Sequence, residues 1–130
     1  MMNKNDHIEY WKKLAIEDLS TAKYNLSGGK HLMALFLFHL SIEKILKALW
    51  VKSNVLNTPP FTHDLHKLSS EASLTLSADY YDYLSVIKDW NIETRYPDYQ
   101  FTLQKLATKE YLNYHLIKVE TLFQWLLSQL

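Results

Sequence analysis

The sequence predicts an all-α protein, an up-and-down bundle of about five helices, three long and two short. Three observations carry this. The 130 residues include only two glycines and three prolines, so little interrupts a long helix. Apolar residues recur at the helical period along most of the chain. A hydrophobic content of 48% at this length fills one core, which makes residues 1–130 a single domain.

The first helix is expected from Asp6 to Ser27, with Ile8, Trp11, Leu14, Leu19, Ala22 and Leu26 along its apolar stripe. Asp6 is placed to cap its start, and the Ser27-Gly28-Gly29 run ends it. A second helix runs from about Lys30 to Ser53 and cannot continue into Pro59 and Pro60. A short third helix follows, capped by Thr62 with Asp64 in its first turn, and closes near Ala72. The fourth, also short, spans Ser77 to Trp90 with Ser77 as its cap. The proline in Asn91–Phe101 is expected to keep that segment irregular, and a last helix begins near Thr102 and runs to the C-terminus.

Charge and residue usage then exclude several function classes. Fourteen acidic residues balance fourteen basic ones, so no global field draws the chain to nucleic acid or to anionic lipid. There is no cysteine, hence no disulfide and no thiolate metal site. The N-terminal residues lack the apolar run of a signal peptide, and no long uncharged apolar segment occurs. Residence in the cytoplasm, away from membranes, is the expectation. No glycine-rich phosphate loop is present, nor a Gly-Ser followed by paired aspartates, so transfer chemistry would have to come from a partner.

The segment Leu37–Trp50 is apolar on nearly every side, yet it carries His39, Glu43 and Lys47 at intervals of four. On a helix these three form one stripe, while Ala34, Leu35, Phe38, Ile42, Ile45 and Leu49 form the opposite, core-facing arc. Two readings stand side by side. Glu43 and Lys47 are an ordinary i,i+4 ion pair with His39 beside it, or the stripe splits a second apolar face that meets a ligand or a second copy of the chain.

The stretch "FHLSIEKILKAL" resembles the second-helix signature of the HEPN domain (higher eukaryotes and prokaryotes nucleotide-binding). The segments "EDLSTAKYNL", "THDL" and "RYPDY" fall around it in the order that family shows. The resemblance implies a helical bundle that forms a homodimer and works beside a nucleotidyltransferase in a toxin–antitoxin or nucleotide-transfer system. It also implies a ligand cleft near the second and last long helices. Many such proteins are metal-independent ribonucleases with an arginine followed four to six residues later by a histidine.

Arg95 is the sole arginine, and it sits in a loop held by Pro97. A planar five-donor group there can grip a phosphate, or pair with a nearby carboxylate to fix the loop. The residues where the motif histidine would stand include Gln100, Phe101 and Thr102, so the ribonuclease motif is incomplete. His39, His63 and His115 are the histidines that a fold could bring to Arg95 as a substitute base. The leading expectation is therefore a non-catalytic module that binds a nucleotide such as ATP. A ribonuclease with a displaced histidine and a helical scaffold without a small ligand are the alternatives.

The candidate binding residues are Arg95, Lys47, His39, Glu43, His63, Tyr96 and Tyr99, the two tyrosines because they flank Arg95 and can stack on a base. The "THDLH" run invites a metal reading through His63, Asp64 and His66, but cap chemistry explains Thr62 and Asp64, so neither metal nor resident cofactor is expected.

Overall fold

The computed structural model describes residues 1–130, all helical in their regular structure. Helix α1 covers Lys4–Ser27 and α2 covers His31–Ser53. The turn between them is a Schellman close: the amide of Lys30 donates to the Asn25 carbonyl at 2.8 Å and that of Gly29 to the Leu26 carbonyl at 3.1 Å. Gly29 stands at φ 75°, a left-handed conformation that a side chain would strain. This tight turn folds α2 back along α1, which packs against it over most of its length.

The remaining helices are α3 (Leu65–Glu71), α4 (Ala78–Lys88), α5 (Pro97–Leu106) and α6 (Lys109–Ser128), with a single 3₁₀ turn at Ile92–Thr94 between α4 and α5. Helix α2 is the hub, touching every other helix of the bundle. Its core arc, Ala34, Leu35, Phe38, Ile42, Ile45 and Leu49, is buried as its spacing predicts. From α6, Leu112, Val119, Leu122, Phe123 and Leu126 close the same core.

Several boundaries shift from those expected. Asn3, not Asp6, caps α1: its side chain accepts from the Asp6 amide while Asp6 reaches back to the Asn3 amide, a reciprocal capping box. Asp64, not Thr62, caps α3 through the Lys67 amide, and Thr62 instead accepts from the Asp64 amide. Pro97 begins a helix where it was expected to prevent one. At the first helical position the missing N–H is one no carbonyl needs, and the fixed φ is already helical. The expected last helix is therefore two, separated at Ala107 and Thr108. Thr108 caps α6 by accepting from the Tyr111 amide, and His31 Nδ1 donates to the Ala107 carbonyl at 3.0 Å, pinning the break to the start of α2.

The opposite end of α2 is tied to the chain's first residues. Lys4 Nζ donates to the carbonyls of Val51 at 2.8 Å and Asn54 at 2.7 Å, serving orphan acceptors where α2 ends. Lys23 and Glu120, 2.7 Å apart, join α1 to α6 at the surface.

Candidate functional site

The polar stripe of α2 is interior to the chain. His39, Glu43 and Lys47 are 0%, 3% and 8% exposed. Most of the second apolar face is covered too, with Phe36 and Trp50 at 7% and Leu40 half-buried. This corrects the expectation that the stripe lies on an open interface or cleft. The cover comes from the chain itself: Trp11 of α1 lies over Lys47 at 5.3 Å, and the extended segment after Pro59 and Pro60 lays His63 against Glu43. That face therefore supplies no argument for a second copy.

Glu43 is the centre of this arrangement. Its Oε1 accepts from His63 Nδ1 at 2.6 Å and faces His39 Nε2 at 3.3 Å, while its Oε2 accepts from Lys47 Nζ at 3.2 Å. Burial by itself raises the Glu43 pKa, but the bonds from His39 and His63 and the charge of Lys47 outweigh it and hold the carboxyl down at about 2. His39 is held at its other nitrogen as well, with Nδ1 3.3 Å from the Ile87 carbonyl at the end of α4.

His63 alone of this group reaches the surface, with 51% of its side chain exposed. With Nδ1 bound to Glu43, its Nε2 has no partner within the chain. It lines a cleft of about 620 Å³ between the start of α3 and the segment from α4 through the 3₁₀ turn. His66, Tyr81, Lys88, Asn91 and Arg95 share that cleft, and Asp64 is the acidic group on its wall. Lys88 is in the last turn of α4, and the 3₁₀ turn carries the chain on to Arg95.

Arg95 donates one hydrogen bond, Nη2 to Asp89 Oδ1 at 3.1 Å, and lies 4.8 Å over the ring of Tyr99. Its Nε is buried without a partner in the chain, as are both polar atoms of the Asn91 side chain. Gln100 Nε2 donates to the Ile92 and Arg95 carbonyls at 2.8 and 3.0 Å, which holds the loop in shape. The residue standing near where a motif histidine would be is thus a loop brace.

The expected binding residues divide accordingly. Arg95 and His63 meet in one cleft, Glu43 stands behind His63, and Tyr99 supports Arg95 from beneath. His39 and Lys47 are sealed from solvent and reach the cleft only through Glu43. Tyr96, 85% exposed, does not line it. The "THDLH" histidines turn to different partners, His63 to Glu43 and His66 Nε2 to the Tyr81 carbonyl at 2.9 Å. Lys88, Asn91 and Tyr81 are cleft residues that the sequence reading did not select. The spacing Lys88, Asn91, Arg95 along one turn-rich segment was the available signal.

His115 is not a substitute base for Arg95. It lies among Tyr83, Trp90, Tyr111 and Tyr114, hydrogen-bonded through Nδ1 to the Tyr83 hydroxyl at 2.7 Å, and it does not line the cleft. Burial, aided by the nearby Lys118 charge, pushes its pKa from 6.5 down to about 4. The folded chain thus refuses a proton that the unfolded chain accepts below pH 6.5, so stability present above that pH is lost as pH falls toward 4. Urea titrations at pH 7 and 4.5 are expected to show a loss of about 2 kcal/mol that His115→Gln largely removes. An equal loss in both proteins would place the acid sensitivity elsewhere.

The family model for the HEPN domain matches residues 8–129. The chain belongs to the HEPN family. The crystal structure of TT1696 from Thermus thermophilus superposes on this HEPN chain with a TM-score of 0.78 at 19% identity, covering 95% of this chain and 98% of that one. At that identity the likeness is one of fold. No curated protein matches the chain. No helix of this HEPN protein is long and apolar enough to cross a membrane.

Proposed function

We propose that this HEPN protein is a non-catalytic module that binds a nucleotide, with ATP as the first probe, through the cleft shared by Arg95, Lys88 and His63. The single observation that carries the reading is Arg95 itself: a guanidinium fixed by Asp89 and Tyr99 that keeps most of its donors free beside a second cation. Such a fork suits a phosphate. Tyr81 on the same wall offers a ring for a base. The module acts in the cytoplasm as a homodimer, beside a nucleotidyltransferase that supplies the transfer chemistry of a toxin–antitoxin or nucleotide-transfer pair. With the second face of α2 covered, the dimer contact uses another surface, and light scattering at micromolar concentration is expected to report twice the chain mass.

Calorimetric titration of ATP into wild type and Arg95→Ala tests the cleft. The expected result is binding that weakens tenfold or more, about 1.4 kcal/mol, in the variant. Equal binding by both would put the phosphate elsewhere. No heat from either would favour the scaffold reading, in which the helical surface meets only protein.

The Glu43–His63 pair favours one second reading, a ribonuclease with a displaced base. Glu43 orients the imidazole through Nδ1, leaving Nε2 to take the proton of a ribose 2′-hydroxyl as that oxygen attacks the adjacent phosphorus; the P–O5′ bond breaks, the departing 5′-oxygen takes a proton from solvent, and a 2′,3′-cyclic phosphate remains. Arg95 would stabilise the charge gathering on the phosphate oxygens. Cleavage of RNA in the presence of chelator, lost in both His63→Ala and Arg95→Ala, would establish this reading over the first; no cleavage by wild type removes it.

A further inference from the structure

We propose that His39, Glu43 and His63 form a binding site for a divalent transition-metal ion, Zn²⁺ being the member of that class the donor set suits best. One ligand atom from each of His39, Glu43 and His63 lies within 4.8 Å of the other two, and Glu43 Oε1 faces both His39 Nε2 and His63 Nδ1. Two imidazoles and a carboxylate are a zinc donor set, and the half-exposed His63 leaves a fourth position that water can reach.

The distances are close to those an ion needs. Tetrahedral ligands about 2.0–2.1 Å from zinc stand about 3.3 Å apart. The His39–Glu43 separation is 3.3 Å, set by two residues one turn apart on the rigid α2. The His63–Glu43 separation of 2.6 Å must open, and it is His63, outside any helix, that can move.

The hydrogen-bond accounting around His39 gives an independent reason. Its Nδ1 faces the Ile87 carbonyl and its Nε2 faces the Glu43 carboxylate, both acceptors, each at 3.3 Å. A neutral imidazole has one N–H, so either tautomer turns a lone pair toward an oxygen in a fully buried pocket. The arrangement is satisfied when something positive sits between Nε2 and Oε1. A metal ion there, with Nδ1–H donating to the Ile87 carbonyl, gives the outer-shell bond that metal-binding histidines usually make. Lys47 occupies only Oε2, which leaves Oε1 to the ion and weakens the ion's hold without blocking it.

The test is titration of Co²⁺ and Zn²⁺ into chelator-treated protein, with no phosphate ligand present, so its result is independent of the nucleotide reading. One equivalent of Co²⁺ is expected to develop the visible absorption of a four- or five-coordinate N/O site, displaced by Zn²⁺. His63→Ala, whose fold circular dichroism can verify, is expected to weaken binding at least tenfold. Absence of binding up to about 1 mM overturns the proposal. Unchanged affinity in His63→Ala also overturns it, since the ion would then sit on other histidines.

Discussion

Glu43→Ala is expected to destabilise the fold by about 3–5 kcal/mol, because it strands a cation in the interior. Lys47 is 8% exposed, and its Nζ has Glu43 as its only anionic partner. With the carboxylate gone, the ammonium must reach water by disturbing the Trp11 contact or give up its proton. His39 and His63 lose a shared acceptor at the same time. Glu43→Gln keeps the volume and one acceptor oxygen, so a clearly smaller loss is expected. Urea unfolding followed by helical circular dichroism reads both, and a Glu43→Ala loss under about 1 kcal/mol would mean that the stripe adds little to the fold. Because the carboxyl is held near pH 2, stability from this group persists above about pH 4.5 and disappears as pH falls through 2.

Trp90→Ala is expected to cost a similar amount, about 3–5 kcal/mol, for a different reason. The indole is 1% exposed and contacts the rings of Phe38, Tyr83, Tyr111 and His115, with centroid distances from 4.9 to 6.4 Å. Its Nε1 donates to the Tyr111 hydroxyl at 3.2 Å. Removing it leaves a cavity where α2, α6 and the end of α4 meet, and takes a partner from Tyr111. Trp90→Phe refills much of that space and should recover over half of the loss. Trp90 also precedes Asn91 and the turn leading to Arg95, so the alanine variant is expected to weaken the ATP binding proposed for that cleft even where it remains folded. Wild-type affinity in a destabilised Trp90→Ala would show that the Arg95 loop holds its shape through Gln100 and Asp89 alone.

The helical class and the core arc of α2 were legible because each is written in local spacing: Phe38, Ile42, Ile45 and Leu49 repeat at the helical period and are buried on one side. The family was legible only through the resemblance of motifs such as "FHLSIEKILKAL" and "RYPDY". The fate of the His39–Glu43–Lys47 stripe was not legible. What covers it is Trp11 of α1 together with a non-periodic segment about twenty residues away, and only the folded chain brings them to Lys47 and Glu43. Pro97 was ambiguous by nature, since the same ring that ends one helix starts another when it stands at the first position. Arg95 was visible as the lone arginine, whereas Lys88 and Asn91 became site residues only when α4 set its end against the start of α3. Asn3 outcompeted Asp6 as a cap because the two residues cap each other, a reciprocity that a single-residue scan does not weigh.

The grip of Lys4 on the carbonyls of Val51 and Asn54 couples two termini that would otherwise fray separately. An ammonium 47 and 50 residues from its acceptors ties the first turn of α1 to the exit of α2, so amide exchange is expected to slow or quicken at both together. The chain leaves α2 at that junction for the segment that carries His63. Loosening the first turn therefore lengthens the untethered stretch before His63, and the entropy of that longer free segment opposes the seating of His63 on Glu43.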